Sequence, residues 1–322
     1  MRSVLIGAAL LFALVLASGP AAAPSASAVR NGPIVFDGLD PANNTVQIYR
    51  ITRNGHRLKQ LTHAPRGSSF WSECPSWSAN GRRIFFDSNL PSQVYRISAR
   101  GSHRRRVDMR NALPHTCPSA NREGSHLVVV EHTLEGISRI VRMTSRGKSP
   151  QVLAQAGNRY QNFFDPRYAP TGSRISFSAV EHNRSGAGYR RADIIMIRHG
   201  GGTDITERSN RWFYAPSWAP SGRLLVAIRG NRFGGNEIVT MRPNGRSIHH
   251  VARASEAVSS VAFSPDGKKI VYVQCKTMCS PFHQERGASI WIMNANGSRK
   301  HAILRQAAGS VAPVQRVDWA RR

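Results

Sequence analysis

The sequence predicts an all-β fold, a six-bladed β-propeller of four-stranded antiparallel blades, and three observations predict it. One motif recurs along the chain, as PSWSANGRRIFF (75–86), CPSANREGSHLVVV (117–130), DPRYAPTGSRISFS (165–178), APSWAPSGRLLVAI (215–228) and SSVAFSPDGKKIVYV (259–273). Its anchor residues Trp77, Ala120, Tyr168, Trp218, Phe263 and Trp319 follow one another at spacings of 43, 48, 50, 45 and 56, around the period of a four-stranded blade. The two ends of the chain are halves of one further unit. Val317-Asp318-Trp319-Ala320-Arg321-Arg322 reads as an innermost strand, while Asn31-Gly32-Pro33-Ile34-Val35-Phe36 begins at the turn and second strand. Joined end to end they read WARR and NGPIVF, close to the internal WSANGRRIFF, so the two termini are expected to complete one blade and remove the exposed sheet edges of an open array.

Each element follows from local chemistry. An inner strand ends near the anchor, a tight turn such as Ser264-Pro265-Asp266-Gly267 reverses the chain, and a second strand such as Lys269 to Val273 returns. Third strands are QIYRIT (47–52), QVYRIS (93–98), SRIVRMT (138–144), DIIMIR (193–198), EIVTMR (237–242) and SIWIMN (289–294), whose alternating apolar residues supply one face to each neighbouring blade. A second Gly turn follows, for example Asn54-Gly55 or Asn244-Gly245. Short outermost strands then fall at Val107, Gln151 to Leu153 and Ile303-Leu304.

Residues 1–28 read as a secretory signal: Arg2, an apolar run from Val4 to Ala17 too short for a stable span, and an A-x-A site at Ala26-Ser27-Ala28. Residues 29–322 are then one propeller domain, with no membrane span after signal removal, expected as a secreted or extracytoplasmic monomer in the periplasm or cell wall. The formal charge of +27 comes almost wholly from Arg, since only six of the 45 basic residues are Lys, and the Arg are scattered through all repeats. That pattern describes a generally basic surface that attracts anionic envelope polymers weakly, rather than a nucleic-acid site. The four cysteines suit an oxidising compartment. Cys74 and Cys117 hold equivalent places three residues before consecutive anchors and are expected to pair, as are Cys275 and Cys279 in a small loop.

Motifs of chemistry are scarce: no G-x-S-x-G, no H-E-x-x-H and no phosphate-cradling loop occurs. Second strands end in Asp37, Asp87, Glu131-His132 and Glu181-His182, which alternation places near one rim of the ring. Asp37, Asp87, Glu131 and Glu181 offer oxygen ligands for a calcium ion, the one cofactor the sequence suggests, and read equally as partners of the abundant Arg. Loops leading into the inner strands bring aromatic residues to the same rim. There Trp71, Phe163, Phe164, Trp212 and Tyr214, with His132 and His182, suit a peptide or sugar ligand, and the aromatics read equally as packing between blades.

Phe263-Ser264-Pro265-Asp266-Gly267-Lys268-Lys269-Ile270 and its degenerate copies resemble the WD-like repeat of TolB-type six-bladed propellers over residues 31–322. The chain is expected to lack the extra N-terminal domain that TolB proteins carry. The resemblance implies the fold, and the complete scaffold together with the missing catalytic motifs points to an exported binding scaffold without catalysis, whose expected partner is a protein, peptide or wall glycan held at the rim and central channel. A metal-assisted polysaccharide lyase or hydrolase using Glu131, His132, Glu181 and His182 is the alternative.

Overall fold

Twenty-four strands occur in the computed structural model, which describes residues 29–65, 67–68, 70–89, 92–107, 113–182, 189–198, 201–231, 234–276, 288–307 and 311–321. The expected signal segment 1–28 and Cys279 lie outside the described residues. Blade 1 contains β1 (Asn31–Asp40), β2 (Thr45–Ile51) and β3 (Lys59–Gln60), and its innermost strand is the last of the chain, β24 (Ala312–Arg321). Five blades of sequential strands follow. Their inner strands are β4 (Ser72–Trp77), β8 (His115–Ala120), β12 (Asn162–Tyr168), β16 (Trp212–Trp218) and β20 (Ala257–Phe263). Their second strands are β5 (Arg83–Asn89), β9 (His126–His132), β13 (Ile175–His182), β17 (Leu225–Asn231) and β21 (Lys269–Cys275).

The expected closure is present: β24 runs antiparallel to β1, with Trp319 opposite Ile34 and Asp318 opposite Val35. Each inner strand touches the next, and β20 touches β24, so the six surround one axis. No helix among the described residues is long and apolar enough to cross a membrane.

Period-two alternation packs the blades. Ile34 and Phe36 point towards blade 6, where they meet Val273 and Ile290 alongside Trp319 of their own blade, while Val35 between them points towards blade 2 and meets Trp77, Ile84 and Phe86. Six apolar clusters result, one per seam, and each anchor fills the seam with the preceding blade: Trp77, Tyr168, Trp218, Phe263 and Trp319 in five seams, Ala120 in the sixth. Burying one such large side chain stabilises by about 1.5–3 kcal/mol.

The turn glycines complete the seams. Gly245 has φ +75°, and a Cβ there would lie 1.7 Å from the Ile205 carbonyl oxygen of the preceding blade; Gly55 makes the same approach to Ile303 across the closing seam. Several arginines are likewise absorbed between blades. Arg50 donates to the Ala99 carbonyl (2.6 Å), Arg198 donates to that of Pro243 (3.1 Å), and Arg174 lies 4.9 Å over the Trp218 ring.

Candidate functional site

Four inner strands share a detail that local propensity opposes. Cys74, Cys117, Asp165 and Ala215 each precede a proline, and each adopts φ of +51° to +53°, a left-handed conformation that costs a non-glycine residue about 1 kcal/mol. Proline cannot donate to the ladder, and the register slips there in every case, from Glu73 to Ser76, Thr116 to Ser119, Phe164 to Arg167 and Tyr214 to Ser217.

The bulge turns an amide out of the ladder towards the preceding blade. Cys74 N donates to Asp37 Oδ2 (2.9 Å), Cys117 N to Asp87 Oδ1 (3.0 Å) and Ala215 N to Ser178 Oγ (3.0 Å). Asp37 also accepts from Arg316 N (2.8 Å), so one carboxylate binds the closing strand and the next blade together. Asp37 and Asp87 are thus buried latches between blades.

Cys74 and Cys117 form the expected disulfide across neighbouring inner strands, with Cα atoms 4.8 Å apart. Cys275 is also disulfide-bonded. Cys74, Asp87 and Cys117 form the one close grouping of metal-ligating residue types among the described residues, and its sulfurs are spent in the disulfide.

Between the latches the axis is charged. Arg316 is fully buried, with Nη1 3.8 Å from Asp165 Oδ1 and Nη2 donating to the Pro166 carbonyl at 3.4 Å. Burial and the adjacent Glu73 push the Asp87 carboxyl well above the usual carboxylate range, against the Cys117 N–H and Arg316, which favour its charge. Burial, and then the charge of Asp37, push Glu73 up from 4.5 to about 7.

The folded chain therefore holds the Glu73 proton more tightly than the unfolded chain does. Stability is expected to fall as pH rises from 4.5 to about 7, with the loss complete above. Glu73→Gln removes the loss, so urea unfolding at about pH 8 should show a gain of about 2 kcal/mol that vanishes near pH 4. A gain of the same size at both pH values would show that the carboxyl is solvated.

The remaining rim residues are distributed as follows. Phe163 is buried in the seam of blades 3 and 4, edge-on to Phe177 with ring centroids 4.8 Å apart, whereas Phe164 is 38% exposed. Trp71, Trp212 and Tyr214 are half-buried, and burial pushes the Tyr214 phenol upwards. Glu131 pairs with His115 (3.0 Å) and Arg139 (3.6 Å), and Glu181 with Arg190 (3.0 Å). His132 Nδ1 lies 3.3 Å from Ser138 Oγ, and His182 Nε2 lies 2.8 Å from Asn162 Nδ2. Burial holds the His132 imidazole below its usual range.

The register explains why the carboxylates do not converge. Asp87 stands opposite Glu73, but the equivalent position in blade 3 is Val130, opposite Thr116; Glu131 is one residue further on, on the other face of its blade.

Two rings border the axis. At the end where the chain enters the inner strands lie Glu73, Thr116, Phe164, Tyr214 and Ser259, each four residues before its anchor, with the Tyr214 ring packed against the seam of blades 5 and 6. At the opposite, turn-side mouth lies a cavity of about 400 Å³, floored by Ser76, Ser119, Arg167, Ser217 and Asp318, each one residue before its anchor. Sequence reasoning missed this second ring, although its signal was available: read down the repeats, the residue before the anchor is Ser, Ser, Arg, Ser, Ala, Asp, small or polar throughout.

Blades, closure and axial cavity define a six-bladed β-propeller whose inner strands present polar rings around a charged axis. No family model and no curated protein matches the sequence. Among solved structures the chain is similar to TolB from Acinetobacter baumannii, at 16% identity and a TM-score of 0.67 over 90% of this chain, which spans 66% of that one. It is similar to a chain of a nidogen/laminin complex at 13% identity and a TM-score of 0.67, covering 90% of this chain and 98% of that one. An oligogalacturonate lyase in complex with manganese follows at 14% identity and 0.55, covering 88% and 87%. At these identities the likeness establishes a TolB-like propeller fold.

Proposed function

We propose that this protein is an exported, non-enzymatic binding scaffold that holds a protein, peptide or wall glycan at the loop-side mouth of its axis. One observation carries the reading: Phe164 is a large apolar side chain left 38% exposed at a ring position whose counterparts, Glu73 and Tyr214, are half-buried. Exposed aromatic surface at the mouth of a closed scaffold is a docking feature. Trp71 and Trp212, at the start of their inner strands, extend it. The disulfide between Cys74 and Cys117 supports residence in an oxidising compartment, and TolB and the nidogen/laminin complex are solved propellers of this shape.

The scaffold works without a resident metal. Glu131, His132, Glu181 and His182 each have a partner within their own blade, which favours binding over lyase chemistry.

Pull-down from envelope extracts and glycan arrays should show capture by the wild type and at least about a tenfold loss when Trp71, Phe164 and Trp212 are replaced by alanine. Undiminished capture by the folded variant would move the site elsewhere. Stoichiometric calcium or manganese in the purified protein would replace this reading with the lyase one.

A further inference from the structure

We propose that the turn-side cavity is a second site, which takes a small organic carboxylate bearing an apolar group, with Arg167 as its anchor. It lies at the other end of the inner strands from the loop-side mouth and does not depend on the function assigned there.

Arg167 is only 7% exposed, yet its Nε has no hydrogen-bond partner. The one carboxylate on the cavity floor is otherwise engaged: Asp318 Oδ2 accepts from Trp77 N (2.7 Å) and Oδ1 from Trp319 N (2.9 Å). Arg316 adds a like charge nearby, and burial with that repulsion pulls the Arg167 guanidinium down to about 10, against the weaker attraction of the Asp318 and Asp165 charges. A buried guanidinium short of partners is destabilising, and an anion brought within reach offsets part of that cost.

The floor is suited to receive one. Ser76 is 2% exposed with an unpartnered Oγ, and Ser119 Oγ accepts from Tyr168 N (3.2 Å), which leaves its proton to donate. A single planar fork flanked by hydroxyl donors matches a monoanionic carboxylate, whose two oxygens take the paired N–H groups. The edges of Trp77, Trp218, Trp319 and Phe263 wall the same space and receive an apolar substituent. At about 400 Å³ the cavity is at the small end of the range for ligand sites. Exposed Arg122 and Arg321 line it as well and draw anions inwards.

An α-carboxylate next to an apolar side chain has this chemistry, whether in a free acylated amino acid or at the end of a peptide. The test is calorimetric titration of the purified protein with N-acetyl-L-phenylalanine, its amide, and the peptide acetyl-Ala-Ala-Phe with a free C-terminus. The acid should bind at least about tenfold more tightly than the amide, and Arg167→Gln should abolish the difference while Ser76→Ala weakens the acid by about threefold. A tripeptide tighter than the single residue identifies a chain terminus as the natural ligand, and equal affinities identify a small acid. Equal binding of acid and amide to the wild type overturns the proposal whatever the variants do. So does the absence of binding by both acids at about 10 mM, or unchanged acid binding in Arg167→Gln.

Discussion

Replacing Trp319 by alanine should destabilise the protein by about 4 kcal/mol, as much as replacing an anchor in the middle of the chain, although the residue lies three positions from the C-terminus. Terminal residues are ordinarily the cheapest to lose because few contacts hold them. Here the indole is 5% exposed, packs with Ala262, Ile290, Ile292 and Val317 in the seam between blades 6 and 1, and donates from Nε1 to the Gly32 carbonyl at 2.9 Å. The comparison is Trp77→Ala, at the equivalent position in blade 2. Trp77 is 6% exposed, and its Nε1 lacks a partner, so its removal forfeits packing alone. Denaturant unfolding of the two variants should therefore shift the midpoint at least as far for Trp319 as for Trp77, with similar slopes. A loss below about 1 kcal/mol for Trp319 beside a full loss for Trp77 would mean that β24 docks loosely and the ring is open. The strand also supplies Asp318, which caps Trp77 N, and Arg316, whose amide binds Asp37. Deleting residues 312–322 should accordingly leave no cooperative unfolding transition, because it bares the edge of β1 and the flank of β4 together.

The fold was legible in the sequence because its information is carried by repetition. An anchor, a Gly turn and an alternating strand, seen five times, define the unit, and the two incomplete ends define the closure that pairs Ile34 with Trp319. The axis was less legible, for two physical reasons. A bulge before proline turns backbone amides of the next blade towards Asp37 and Asp87, which nothing in the alternation announces, while Glu131, one residue further along its own strand than Asp87 is on its strand, faces the other way and meets His115. The second reason is compositional. In a chain with so many arginines, two that are buried on the axis, Arg167 and Arg316, look like all the others until burial separates them. Phe163 and Phe164 show the same limit: adjacent aromatics in one strand face opposite ways, one into a seam and one towards solvent.

Reduction of the disulfide, or joint replacement of Cys74 and Cys117 by serine, should lower stability by about 4 kcal/mol on the chain-entropy account of a loop closed over a separation of 43 residues. The position of the bond makes the effect local as well. Five seams are filled by an aromatic anchor, but between blades 2 and 3 the anchor is Ala120, and the buried cluster there rests on Phe85, Val94, Leu127, Val129 and Val141 with one aromatic ring among them. The disulfide crosses this same seam, joining β4 to β8, so a covalent link stands where the other blades use a large side chain. Without it, the seam between blades 2 and 3 should open before the rest of the ring. Hydrogen exchange in β5 and β8 is expected to rise well before that in β1 and β21 once reductant is added, and the wild type in reductant should unfold at the midpoint of the double-serine variant. Uniform acceleration across all six blades would instead mean that the bond acts only on the unfolded chain, and that Ala120 leaves no weakness for it to mend.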